Sequence, residues 1–172
     1  ANYHDPARVH WGNLRVWNDD TIQPHTGFPP HPHRDMEIIT YVRKGAITHE
    51  DSLGNRGRTV AGDVQVMSAG TGITHSEYNP SPDNPVHLLQ IWMMPEEKGL
   101  TPGYGEYTFD TEARKNNLQL IASRDGRNSS AVIHQDLSLY TTLLAPGETV
   151  EHPLAPDRHA WVQVVSGKIK LN

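Results

Sequence analysis

Cysteine is absent from the 172 residues. That single absence removes disulfides, thiolate nucleophiles and zinc–thiolate centres together, and it is compatible with a reducing compartment. A basic excess is also missing, for 15 Lys and Arg stand against 20 Asp and Glu, a net charge of −5. Nucleic-acid-binding domains usually carry the opposite balance, so a direct nucleic-acid partner is not expected. No apolar run approaches the roughly 20 residues of a membrane-spanning helix. The opening "ANYHDPARVHW" has no signal-peptide pattern, which leaves the cytoplasm as the default location and no membrane partner.

Sustained helical periodicity is scarce as well. Glycine and proline, 14 and 13 in number, punctuate the chain at short intervals. Between them lie short β-branched or aromatic runs: "NLRVWND", "MEIITYV", "AITHED", "DVQVMSA", "HLLQIWMM", "LQLIAS", "AVIHQD", "LYTTLLA" and "AWVQVVSGKIKLN". Short strands at this spacing predict an all-β sandwich or barrel. "ITYVRKGAITHED" reads as a hairpin turning at Lys44–Gly45. Residues 95–116, polar and rich in Gly and Pro, read as a linker with one helical turn near 111–116. Beyond it, "HPLAPDRHAWVQVVSGKI" echoes "HPHRDMEIITYVRKGAI", as two copies of one β unit would. The expected division is residues 1–94, a linker at 95–116, and residues 117–172.

What the chain does have is histidine, eleven in all. In "FPPHPHRDME", His31 and His33 are two residues apart, with Asp35 and Glu37 continuing the same parity. In "GDVQVMSAGTGITHSEYN", His75 and Glu77 repeat the spacing after a Gly-rich bend. On an extended segment, residues i and i+2 share a face. Two such pairs on neighbouring strands converge on one point inside a barrel. Three imidazoles with one hard carboxylate and no thiolate suit a divalent first-row ion doing oxygen chemistry rather than a structural zinc.

These stretches, with "VHLLQIW", closely resemble the pirins, a bicupin family. The fold implied is a cupin (jelly-roll) β-barrel, with a second barrel that is incomplete because a pirin ordinarily carries further strands before "NYHDPAR" and after "KLN". The chain is accordingly expected to be a fragment. The resemblance places the metal on His31, His33, His75 and Glu77. Ordinary cupins use a Glu at the position of Glu37, which is the rival fourth ligand and otherwise an acceptor orienting an imidazole. In the second copy, His152-Pro153-Leu154 and Trp161 stand where ligands would be, so it reads as structural.

The remaining histidines, His4, His10, His25, His49, His87, His134, His152 and His159, fit no ligand spacing, although His49 and His87 lie in strand-like runs. Phe28 and Met67 flank the two motifs as candidate ligand contacts. The resemblance implies one divalent transition metal, iron first, with nickel, copper, cobalt, manganese or zinc as alternatives. It further implies a dioxygenase like quercetin 2,3-dioxygenase, acting on a flavonol-type enol and dioxygen, with Glu77 as catalytic base. The alternative is an iron-binding co-regulator whose ligand is a partner protein.

Overall fold

The computed structural model describes Pro6 and residues 10–172; His4 lies outside them. Among the described residues there are twelve strands: β1 (Leu14–Ile22), β2 (Gly27–His33), β3 (Glu37–Lys44), β4 (Ala46–Asp51), β5 (Arg56–Val60), β6 (Val64–Ser68), β7 (Ile73–Tyr78), β8 (Val86–Met93), β9 (Gly103–Tyr107), β10 (Gln119–Ser123), β11 (Ala131–Val132) and β12 (Ser138–Thr141). A five-stranded sheet runs β1-β8-β3-β6-β9 and a four-stranded sheet β2-β7-β4-β5, all antiparallel; together they form the jelly roll. A third sheet, β11-β10-β12, belongs to the second unit. No helix among the described residues is long and apolar enough to cross a membrane.

The five-stranded sheet is covered on both faces, which explains why β3 is buried from Glu37 to Val42. Val42 turns into the barrel with Ile22, Ile47, Val86 and Leu88, and Ile38 with Met36, Met67 and Ile73. The intervening Ile39 and Tyr41 face outward and join Ile121, Ala131 and Ile133 of the second unit in one apolar cluster. The buried Arg114 guanidinium pins the same interface, donating to the Tyr41 hydroxyl at 2.7 Å and the Gly62 carbonyl at 3.0 Å.

Three expectations are corrected here. The turn at Gly45 (φ 80°) is present, but β3 and β4 do not pair. The chain crosses there from one sheet to the other. A Cβ at Gly45 would stand 3.3 Å from the Pro85 carbonyl oxygen and Val86 Cα, so glycine also serves the close approach. Second, the stretch 95–116 is not all linker, because β9 lies within it and pairs with β6. Its Gly103 and Gly105 alternate with Tyr104 and Glu106, so no apolar period betrays the strand. The helical turn is there as a 3-10 turn at Glu112–Arg114. Third, residues 144–172 form no strand, and Trp161, Val162, Val164, Ile169 and Leu171 are exposed. Strand propensity expresses fit to a pleated, packed surface, and among the described residues none pairs with this segment.

Candidate metal centre

The site is built on β7, the strand between β2 and β4. Alternation turns Ile73, His75 and Glu77 inward, all buried, and Thr74, Ser76 and Tyr78 outward. On one side, His31 stands opposite His75 and Phe28 opposite Glu77; on the other, Asp51 stands opposite His75 and His49 opposite Glu77. β2 is an edge strand, which is why it tolerates Pro29, Pro30 and Pro32, none of which can donate to a ladder. The register shifts between Phe28 and His31, so the proline pair re-aims the two histidines.

His31, His33 and His75 bring one ring nitrogen each to within 4.8 Å of one another. His75 Nε2 lies 3.1 Å from His31 Nε2. His31 Nδ1 is 2.7 Å from the Pro29 carbonyl oxygen, which can only accept. Nδ1 therefore carries the proton, and Nε2 offers its lone pair to the cluster. His33 Nε2 is buried with no hydrogen-bond partner, a costly state for a polar atom that an ion would relieve. Burial, helped by the charge His31 can carry, holds the His33 imidazole down to about 4. Burial and then His31, His33 and His49 hold His75 down to about 3. Both are neutral near pH 7, the state in which imidazole binds metal.

Glu77 reaches this cluster through His75: His49, His75 and Glu77 form a second set of mutually close donors, all buried. Its Oε1 accepts from Gln65 Nε2 at 2.5 Å and Thr40 Oγ1 at 3.4 Å, and its Oε2 from Gln90 Nε2 at 2.8 Å. Burial raises the carboxyl to about 7, against the opposing effect of hydrogen bonds from Gln90, Gln65 and Thr40. The four residues expected as ligands thus meet in two overlapping groups that share His75.

Glu37 is elsewhere. The parity argument fails at Asp35, whose φ of 47° breaks the extended run between β2 and β3. Glu37 points from the outer face of the sheet toward the second unit. Its Oε2 accepts from Ser68 Oγ at 2.9 Å and from the His134 backbone N–H at 3.1 Å. It is a junction residue between the two units.

His87 pairs with Asp19 at the surface, away from the barrel interior. His49 is inside it. The HxD spacing of His49 and Asp51 repeats that of the other two motifs, and this signal passes unused when only Gly- or Pro-flanked pairs are weighed. Phe28 meets His31 edge-on at 6.4 Å, and Trp92 meets His33 edge-on at 4.9 Å. Met67 lies in the apolar cluster beside the site. In the second unit, His152 packs on Tyr140, and neither of the donor groups found among the described residues lies there.

The Pirin family profile matches residues 1–93, and the profile "Quercetinase C-terminal cupin domain" matches residues 120–172. Quercetin 2,3-dioxygenase of Escherichia coli (strain K12) is 49% identical over all of this chain and 73% of its own length. A pirin-like protein of Caulobacter vibrioides is also 49% identical, over 74% of its length. Among solved structures, the bacterial pirin YhhW of Escherichia coli in complex with nickel(II) superposes with a TM-score of 0.75 at 51% identity, covering 81% of this chain and 59% of that one.

Proposed function

The chain is a member of the pirin family, and from that premise we propose that it is a metal-dependent dioxygenase of the quercetin 2,3-dioxygenase type, with His31, His33, His75 and Glu77 holding one divalent transition metal ion. The observation that carries this reading is the buried, unpartnered Nε2 of His33 beside the paired Nε2 atoms of His31 and His75. The nitrogen-rich, thiolate-free donor set fits iron, and it equally fits the nickel held by the Escherichia coli relative. Such an ion supplies Lewis acidity toward an enol oxygen and a redox centre for dioxygen.

The protein's own groups contribute the rest. Glu77 is the one carboxyl among the proposed ligands, and on this reading it is the group that takes the hydroxyl proton of an enol. Gln65 and Gln90 hold its two oxygens in place, so it exchanges a proton without swinging free. The ring edges of Phe28 and Trp92 provide apolar walls suited to a flat aromatic such as a flavonol. A surface depression of about 400 Å³ is bordered by Pro32, His33, Gly72 and Thr74. In this reading residues 1–94 hold the chemistry and residues 117–172 form a metal-free structural unit.

Elemental analysis of the wild type beside His33→Ala, followed by an aerobic quercetin assay, tests the proposal. One equivalent of metal, lost in the variant and accompanied by bleaching of the flavonol band, is expected. A metal-bearing protein that bleaches no flavonol with iron, nickel, copper, cobalt or manganese overturns the dioxygenase reading.

A further inference from the structure

Along β8, β3 and β6, the three middle strands of the five-stranded sheet, Val86, Leu88, Ile38, Val42 and Met67 project into the barrel. One row among them is polar. Gln90 on β8 is in register with Thr40 on β3, and Thr40 with Gln65 on β6. All three reach across the barrel to Glu77 on β7. Gln90 Nε2 donates to Oε2 at 2.8 Å, while Gln65 Nε2 and Thr40 Oγ1 donate to Oε1 at 2.5 and 3.4 Å.

The two glutamines are held differently. Gln90 Oε1 lies 3.2 Å from Trp92 Nε1. An indole N–H can only donate, so the amide oxygen faces Trp92 and the amide nitrogen is turned toward Glu77. Gln65 Oε1 instead meets the hydroxyls of Thr59 at 3.1 Å and Tyr104 at 3.2 Å, and a hydroxyl adapts to whichever way an amide turns. The Trp92 indole is itself seated edge-on against His33, with 4.9 Å between ring centroids. Gln90 and Trp92 are two positions apart on β8, in the sheet that carries none of the four expected ligands.

From this geometry, and resting on the metal-site reading above, we infer that Gln90 and Trp92 are positioning residues: Trp92 locks the Gln90 amide, and the amide holds Glu77 Oε2 in one orientation relative to the histidines. Neither side chain titrates, and the direction of the chain follows from the indole alone. Partners of this kind orient a ligand before the ion arrives. Gln65 shares the load at Oε1, but only Gln90 has its amide fixed by a group that cannot reverse.

Calorimetric titration of the full chain with nickel(II) tests this. Gln90→Met keeps the length of the side chain and removes the amide, and it is expected to bind nickel about 10- to 100-fold more weakly. Trp92→Phe keeps an aromatic edge beside His33 and removes the N–H that locks Gln90. Its affinity is expected to fall between those of the wild type and Gln90→Met. Because Trp92 acts on Glu77 through Gln90, the double variant is expected to match Gln90→Met alone rather than sum the two losses.

Wild-type nickel affinity in Gln90→Met overturns the inference, and so do additive losses, which would mean that Trp92 acts without Gln90. If Gln90→Met does not fold, Trp92→Phe decides. The absorption spectrum of its cobalt(II) form is expected to differ from that of the wild type, and an unchanged spectrum overturns the inference. A wild type that binds neither nickel nor cobalt refutes the metal-site reading instead. The urea midpoints of the metal-free single and double variants then report on the link, and additive shifts overturn it.

Discussion

Nε2 of His31 and Nε2 of His75 face each other across β2 and β7 at 3.1 Å, while His31 Nδ1 is committed to the Pro29 carbonyl. His31 Nε2 therefore presents a lone pair to His75 Nε2, and the position between them is taken by a shared proton or by a bound ion. A bound ion should stabilise the folded chain by linkage. At a free metal concentration 100-fold above Kd, linkage gives about 2.7 kcal/mol. For a chain of this size that corresponds to a rise in Tm of roughly 5–10 °C. Differential scanning calorimetry with and without nickel(II) should show the rise in the wild type and its absence in His33→Ala.

The two candidate carboxylates separate cleanly. Glu77 sits inside the barrel against His75, and Glu37 faces the second unit with Ser68 and His134. On the proposed ligand set, Glu77→Gln should lose bound metal by elemental analysis. Glu37→Gln should keep it and lose only about 1 kcal/mol of stability, the order of one hydrogen bond. Metal loss in Glu37→Gln alone would reverse the assignment.

Acid should weaken the metal-free protein through the same buried groups. His33 and His75 titrate near 6.5 when unfolded but are held to about 4 and about 3 by burial and neighbouring imidazoles. Below pH 6.5 the unfolded chain takes up protons that the folded chain refuses, so stability falls as pH falls toward 4. Glu77 acts in the opposite sense. Burial raises it from 4.5 to about 7, so its contribution is full below pH 4.5 and is lost as pH rises through 7. Two imidazoles outweigh one carboxyl, so urea midpoints should rise from pH 4.5 to 6.5. Glu77→Gln removes the opposing contribution and should steepen that rise.

Much of this site was legible in the residues because its information is local. His31 with His33, and His75 with Glu77, are separated by two positions, and an extended backbone turns that spacing into a shared face whatever the topology. Glu37 seemed to share it too, and only the left-handed Asp35 between the strands removes it. The turn at Gly45 was legible for the same local reason, but its pairing was not, since β3 and β4 find their partners in different sheets. β9 was hidden because Gly103 and Gly105 leave no period to read, and the residues that alternate with them, Tyr104 and Glu106, are polar. Residues 160–172 failed in the other direction. Their apolar alternation asks for a sheet, and a strand pattern without a neighbour does not become a strand.

The placement of the ligands depends finally on how closely β2 lies against β7, and Gly27 sets that distance. It pairs with Tyr78, and a Cβ at Gly27 would run into the Glu77 carbonyl oxygen and lie 2.7 Å from Tyr78 Cα. Those are backbone atoms, so no side chain can swing aside; the strands themselves must part. Gly27→Ala should cost about 1–3 kcal/mol as an overpacking substitution. It should also weaken metal binding, because His31 and His33 ride on β2 while His75 and Glu77 ride on β7. Gly103→Ala is the matched control, for a Cβ there meets nothing within 4 Å, and its effect should stay within about 0.5 kcal/mol with metal affinity unchanged. Thermal melts and nickel(II) titrations on both variants check this together. Wild-type nickel affinity in a destabilised Gly27→Ala would mean that the two strands need not hold this spacing for the four side chains to meet.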